Sequence, residues 1–205
     1  MQRVALTGGI ATGKSYVLAR FAARNVPTVD ADVIAREVVQ PGCPAWTALK
    51  VRFGAEMFAP DGTLDRKRLA AQAFANPTAR ADLEAIVHPP VRSAIDEWFQ
   101  RIANPGHTPF AIADVPLLFE TNRADQFDRV IVTASVPATQ LSRLMTRDHL
   151  SEEDGRKRLA AQLPTTVKTA AADFVIHTDG TFDDTDRQVN EVYLALTHDG
   201  GPRRS

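Results

Sequence analysis

Five short apolar runs, rich in β-branched residues, punctuate the chain: VALT (4–7), VPTVD (26–30), FAIADV (110–115), RVIVTA (129–134) and DFVIH (173–177). Each is bounded by turn residues and short enough to be a strand buried on both faces. Between them, apolar positions recur at three- and four-residue intervals near 14–24, 138–147, 151–162 and 185–197, the period of amphipathic helices. Strands alternating with helices predict an α/β fold with a five-stranded, doubly wound parallel sheet and right-handed crossovers.

One gap breaks this rhythm. About 80 residues separate Asp30 from Phe110, far more than a crossover needs. Pro41, Gly42, Pro44, Pro60, Gly62, Pro77, Pro89 and Pro90 divide the stretch, and WTALKVRF, DRKRLAAQAF, ARADLEAIV and VRSAIDEWFQRI carry helical spacing. Four or five short helices are expected, forming an insertion over about 31–109 on the ligand-binding edge of the sheet. The expected organisation is one domain over 1–199, its core being about 1–30, 110–139 and 163–199. The tail GGPRRS (200–205) is expected to be disordered.

Composition narrows the function classes. Lys plus Arg number 24 against 25 Asp plus Glu, a net charge of −1, which argues against bulk electrostatic binding to nucleic acid or anionic membrane. The sign is uneven along the chain. Residues 1–25 carry Arg3, Lys14, Arg20 and Arg24 with no acid, so a local phosphate site remains open. The single cysteine, Cys43, closes no internal disulfide and reads as a small hydrophobe. With no signal-peptide pattern and no run of 18 apolar residues, no membrane partner is expected and the expected location is cytoplasmic.

Gly8-Gly9-Ile10-Ala11-Thr12-Gly13-Lys14-Ser15 matches G-x-x-x-x-G-K-[ST], and it lies between an apolar strand and an apolar-periodic helix as a phosphate loop must. Backbone N–H groups over Gly9, Ile10, Ala11, Thr12, Gly13, Lys14, Ser15 and Tyr16 would face phosphate oxygens, helped by the positive helix end. Lys14 would reach the β- and γ-phosphates, and the Ser15 hydroxyl would ligand Mg²⁺. N-K-x-D and D-x-x-G, expected of a GTP switch, are both missing from the sequence. FAIADVP offers only Asp114 where a motor ATPase carries an acidic pair. A small-molecule kinase remains.

Candidates for the acceptor side have two readings each. Asp30 suits a helix N-cap; Asp32, one turn on, is either a first-turn acid or the base that takes a proton from an attacking hydroxyl. Pro116 ends the third strand, after which Leu117 and Leu118 either touch substrate or pack under the insertion. Asp114 is either a water-mediated Mg²⁺ ligand or structural, and His88 either contacts substrate or caps a helix end.

LTGGIATGKS, VDADVIAREVVQPGCPA, FG, DGTLDRKRL, HP, DVPLLFE, QLSRLMTRD and ADFVI follow in that order, and in this the chain closely resembles the dephospho-CoA kinases from residue 4 to about 190. The resemblance implies a P-loop kinase fold with a helical acceptor-binding insertion. It implies transfer of the γ-phosphoryl of ATP to the 3′-hydroxyl of dephospho-CoA, with Mg²⁺. It makes Asp32 the general base and puts Arg36 and the His88-Pro89 insertion near the acceptor. Asp114 to Glu120 would line the acceptor side of the cleft. A nucleoside or nucleotide kinase, or a non-catalytic nucleotide-binding module, are the alternatives; a monomer or weak homo-oligomer is expected.

Residues 140–162 read as a basic helical lid. Arg143 and Arg147 are four apart and share a helix face, suited to stabilising charge on a transferring phosphoryl group. The R-x-x-x-R-D pattern also resembles the family's. A solvated face with an Arg147–Asp148 pair is the competing reading. Ser151, ahead of Glu152, Glu153 and Asp154, has the pattern of an N-cap. Two features depart from the family: His177-Thr178-Asp179-Gly180 replaces its Asn-containing turn, which bears on ATP over GTP, and Tyr16 replaces a small hydroxyl residue.

Overall fold

A computed structural model describes residues 1–103 and 108–198; the predicted tail, 200–205, lies outside the described residues. Strands β1 (Gln2–Gly8), β2 (Thr28–Asp30), β3 (Phe110–Asp114), β4 (Arg129–Ala134) and β5 (Phe174–His177) form one five-stranded sheet in the order β2-β3-β1-β4-β5. β1 runs parallel to β3, with Gln2 opposite Phe110, and to β4, with Val4 opposite Arg129; β5 runs parallel to β4, with Ile131 opposite Phe174. Nearly continuous burial along β1, β3 and β4 explains why these runs are apolar throughout rather than alternating.

Nine α-helices accompany the strands among the described residues: α1 (Lys14–Ala22), α2 (Ala31–Glu37), α3 (Pro44–Phe53), α4 (Arg66–Ala75), α5 (Pro77–Ala103), α6 (Pro137–Asp148), α7 (Glu152–Ala160), α8 (Thr165–Ala170) and α9 (Phe182–His198). The chain divides into two compact units, Met1–Val29 with Arg101–Ser205, and Asp30–Gln100. The first is organised around Val4, Leu6, Phe21, Ile112, Ile131, Ile176 and Leu196. The second has its own core of Val39, Leu49, Phe53, Met57, Leu69 and Ala79. Each large apolar side chain so buried contributes about 1.5–3 kcal/mol. Among the described residues no helix is long and apolar enough to cross a membrane.

Two elements differ from the sequence expectation. ARADLEAIV and VRSAIDEWFQRI are one 27-residue helix, α5, with Pro89 and Pro90 inside it. The apolar stripe Ala79, Leu83, Val87, Val91, Ile95, Phe99 keeps a spacing of four straight through the proline pair. Packing along one stripe therefore outweighs the lost N–H donors, since proline's φ is itself helical. His88 consequently sits inside α5 rather than at its end. α8 was not foreseen: TTVKTA is short and rich in β-branched residues, which lower helix propensity. Its one buried residue is Lys168.

Candidate active site

The phosphate loop follows directly from β1. Gly13, at φ 78°, caps α1 in the left-handed region that favours glycine, and Ala11 also has positive φ, 61°. Side chains from four other parts of the chain hold the loop's shape. Thr12 Oγ1 donates to the Gly9 carbonyl at 2.7 Å and lies 2.7 Å from the Thr133 hydroxyl at the end of β4. Thr178 Oγ1, just past β5, donates to the Thr12 carbonyl at 2.9 Å. The Ile10 peptide is bracketed: its N–H donates to Gln162 Oε1 at 2.7 Å, and its carbonyl accepts from Gln140 Nε2 at 2.8 Å. These two glutamines flank the lid segment.

Lys14 forms an ion pair with both carboxylate oxygens of Asp114, at the end of β3. This joins the loop's cation to the one acid the third strand supplies, on the β3 side of β1. Ser15 is exposed at the start of α1. Its neighbour Tyr16 donates to Asp186 Oδ1 at 2.9 Å and stacks on Phe182, with ring centroids 4.8 Å apart. Burial, reinforced by the Asp186 carboxylate, raises the Tyr16 hydroxyl above its ordinary pKa.

The two lid arginines part company. Arg143 donates to Thr178 Oγ1 at 3.0 Å, to the Thr178 carbonyl, and to the Ala11 carbonyl at 3.5 Å, so it reaches the loop. Arg147 is turned to Asp148, donating at 2.7 and 3.1 Å, and Arg158 joins the same carboxylate at 2.7 Å. The hydrogen bond from Arg147 is the main cause holding Asp148 below the usual carboxylate range, and the same bond raises Arg147. Ser151 does cap α7, accepting from the Asp154 N–H at 3.1 Å.

The turn after β5 is internally satisfied. The Asp179 carboxylate accepts from Ser135 Oγ at 2.9 Å and from the Val136 N–H at 3.0 Å. Burial opposes its ionisation, but these hydrogen bonds prevail and hold its pKa low. The main chain of His177 is taken at both ends by Gln188.

The segment after β3 opens with Pro116, whose carbonyl accepts from the Thr7 hydroxyl at 3.2 Å. Leu117 is 45% exposed, whereas Leu118 is fully buried. The expectation that both leucines face substrate is therefore corrected: the Leu118 side chain is a core residue, and Leu117 alone presents an apolar surface. Further along, Glu120 accepts from the Leu163 N–H at 3.3 Å and pairs at 2.7 Å with Lys168, whose side chain has no exposed surface.

In the second unit, Asp30 caps α2 by accepting from the N–H groups of Asp32 at 2.7 Å and Val33 at 3.4 Å. Asp32 is thereby freed from capping and stays exposed, with Arg36 one turn on. A cavity of about 290 Å³ is lined by Ala35, Val39 and Leu69 together with Arg66 and His88. Burial, with the Arg36 charge nearby, lowers the pKa of Arg66.

Comparison with known proteins shows the family. The family model described as dephospho-CoA kinase matches residues 2–184. The chain belongs to the dephospho-CoA kinase family. The dephospho-CoA kinase of Anaeromyxobacter dehalogenans is 49% identical over 180 residues, covering 88% of this chain and 85% of that one. The enzyme of Thermobifida fusca is 42% identical over 196 residues, 96% of each chain. Among solved structures, TT1252 from Thermus thermophilus superposes with a TM-score of 0.83 at 31% identity, covering 96% and 98% of the two chains. The dephospho-CoA kinase from Campylobacter jejuni gives 0.74 at 26%, covering 97% and 98%. A shikimate kinase from Bacteroides thetaiotaomicron, at 12% identity and 0.54, shares the fold.

Sequence reasoning did not single out Gln140 or Gln162, which brace the phosphate loop, or the buried Lys168; Thr178 it named only as part of a turn that departs from the family. Only Gln140 left a signal: it is a polar residue one turn before buried Leu144, on the inward face of α6.

Proposed function

We propose that the chain transfers the γ-phosphoryl group of ATP to the 3′-hydroxyl of dephospho-CoA, giving CoA and ADP. The observation that carries this reading is a phosphate loop with its Lys14–Asp114 pair, in a chain that matches the dephospho-CoA kinase model from residue 2 to 184. In the transfer, the 3′-oxygen attacks the γ-phosphorus, the bond from that phosphorus to the β,γ-bridging oxygen breaks, and ADP carries the electron pair away. Asp32 takes the hydroxyl proton; its exposure and its release from capping, which Asp30 performs, support that role.

Gly9 to Tyr16 cradle the phosphates. Lys14 moves from Asp114 to the β- and γ-phosphates, a favourable exchange of one anion for a more highly charged one. Arg143 is supported as the nearer lid cation by its reach to Ala11. Arg147 adds charge once it leaves Asp148, as residues 140–162 close over ATP and exclude competing water. Arg36, His88 and the apolar cavity beside them receive the acceptor, whose diphosphate suits Arg36 and whose pantetheine arm suits an apolar wall. Leu117, after Pro116, touches the same arm.

Mg²⁺ fits this donor set. Ser15 offers an exposed hard oxygen and Asp114 a carboxylate acting through water, and phosphate oxygens and water complete a site of this kind. When bound, the ion neutralises charge developing between the β- and γ-phosphates. The single cysteine supports a cytoplasmic enzyme, and the balanced charge supports one with no nucleic-acid partner.

ADP release measured with dephospho-CoA, adenosine and AMP as competing acceptors tests the reading. Turnover with dephospho-CoA is expected. Turnover with AMP but none with dephospho-CoA would overturn it in favour of a nucleotide kinase.

A further inference from the structure

Phe182, the first residue of α9, leaves 72% of its surface exposed. It is nevertheless not loose on the surface. One face stacks on Tyr16 at 4.8 Å with the planes inclined by 40°. Tyr16 is itself pinned, because its hydroxyl donates to Asp186 at 2.9 Å, the Arg20 guanidinium lies 6.0 Å from its ring centroid, and Arg20 pairs with Asp186 at 2.6 Å. The result is a rigid aromatic step beginning one residue after Ser15 of the phosphate loop.

Its position in the sheet gives the step a meaning. Lys14 marks the γ-phosphate end of the loop and leans to Asp114, on the β3 side of β1. Thr178, at the end of β5, contacts the loop from the opposite side, at Thr12. The nucleoside end of a triphosphate seated there points away from Lys14, toward the β5 side, where Tyr16 and Phe182 lie. Ligands of doubly wound sheets sit at this carboxyl edge.

Several groups of the neighbouring turn are already engaged. Thr178 is committed to Thr12 and Arg143, the Asp179 carboxylate to Ser135 and Val136, and the His177 main chain to Gln188. We propose that the exposed face of Phe182, backed by Tyr16, stacks the purine of the nucleoside triphosphate, so that the base is held by its π-face rather than selected by hydrogen bonds. A π-face is common to adenine and guanine, so the enzyme accepts GTP nearly as well as ATP. This rests on the reading of residues 8–15 as the donor phosphate site.

The test is direct binding of ATP, GTP and inorganic tripolyphosphate to the full chain by calorimetry, without acceptor. For the unmodified chain, ATP and GTP are expected within about tenfold of each other, one RT ln 10. Phe182→Ala should weaken both by about 5- to 100-fold, the measured range for base–aromatic stacking. Tripolyphosphate, which has no base, should bind both chains equally. Phe182→Tyr should restore nucleotide binding, which separates stacking from any loss of folding. Unchanged ATP binding in Phe182→Ala, an equal loss of tripolyphosphate binding, or a hundredfold preference for ATP over GTP would each overturn the proposal. Because no acceptor is present, these outcomes are independent of whether dephospho-CoA is the substrate. Loss of tripolyphosphate binding in the unmodified chain would instead defeat the donor-site reading on which the proposal rests.

Discussion

Lys168→Met probes the least expected contact in the protein. Lys168 has no exposed side-chain surface, and its Nζ lies 2.7 Å from Glu120 Oε1. The pair is poorly satisfied beyond this contact, since Glu120 Oε2 has no hydrogen-bond partner among the described residues. Removing one member of a buried pair costs about 3–5 kcal/mol, since it strands the other charge. Glu120 keeps 19% of its side chain exposed and can recruit water there, which puts Lys168→Met at the low end, about 3 kcal/mol. Glu120→Gln strands an ammonium with no exposure at all and is expected to cost at least as much.

Because the pair is poorly satisfied, Lys168→Met/Glu120→Gln should be no less stable than the worse single variant, leaving a coupling energy of about 2 kcal/mol or more. Urea denaturation followed by far-UV circular dichroism is the assay. Trp46 and Trp98 both lie within Asp30–Gln100, so their fluorescence does not report the unit that holds Lys168. Lys157→Met is the internal control: its partner Glu153 is equally close, at 2.7 Å, but both side chains are about two-thirds exposed or more, and the expected loss is under about 1 kcal/mol. If Lys168→Met costs no more than Lys157→Met, or if the two single losses simply add, burial is not what gives the pair its weight.

Three further outcomes follow from the geometry. Gly8→Ala puts a Cβ 2.1 Å from Thr133 Oγ1 and 2.8 Å from the Thr133 carbonyl; because part of that obstacle is backbone, the fold should lose about 1–3 kcal/mol in a urea titration, with weaker ATP binding by calorimetry. Asp32→Asn should lower kcat for dephospho-CoA by about 10²–10⁴ while ATP affinity holds, and an unchanged kcat would reduce Asp32 to a positioning role. Asp148 has a folded pKa below its ordinary 3.8, so its stabilising contribution is complete above that value and is lost as pH falls through the folded one. Tm against pH should therefore decline more gently on the acid side in Asp148→Asn than in the unmodified chain.

The fold was readable wherever the pattern of side chains and the backbone wanted the same thing. All five strands stand where runs such as RVIVTA lie; in β1, β3 and β4 this is because strands buried on both faces need continuous apolar residues, whereas β2 and β5, expected to be buried as well, are edge strands and mostly only half-buried. The reading failed where local preference and packing disagree. Pro89 and Pro90 are local reasons to end a helix, and the stripe from Ala79 to Phe99 is a stronger non-local reason to continue it. TTVKTA has little local tendency to be helical and is too short to show a helical period, so α8 is not legible in the sequence.

The site divides along the same line. Residues whose chemistry is fixed by spacing, from Gly8 to Ser15, are visible as a string. Those that hold the string in shape are not, because Gln162 meets Ile10 across 152 positions and Thr178 meets Thr12 across 166. Arg143 and Arg147 show the limit most clearly. Helical spacing makes them equivalent, yet one lies against the Ala11 carbonyl and the other against Asp148. The difference is made by an acid one residue beyond Arg147, the Arg147–Asp148 pair that the sequence had offered as the competing reading, although adjacent helical residues do not ordinarily face each other. Only the flexibility of a long arginine side chain, turning back along its helix, lets the pair form. Periodicity therefore identifies which cations share a helix face, and the nearest competing carboxylate decides which of them lies against the loop.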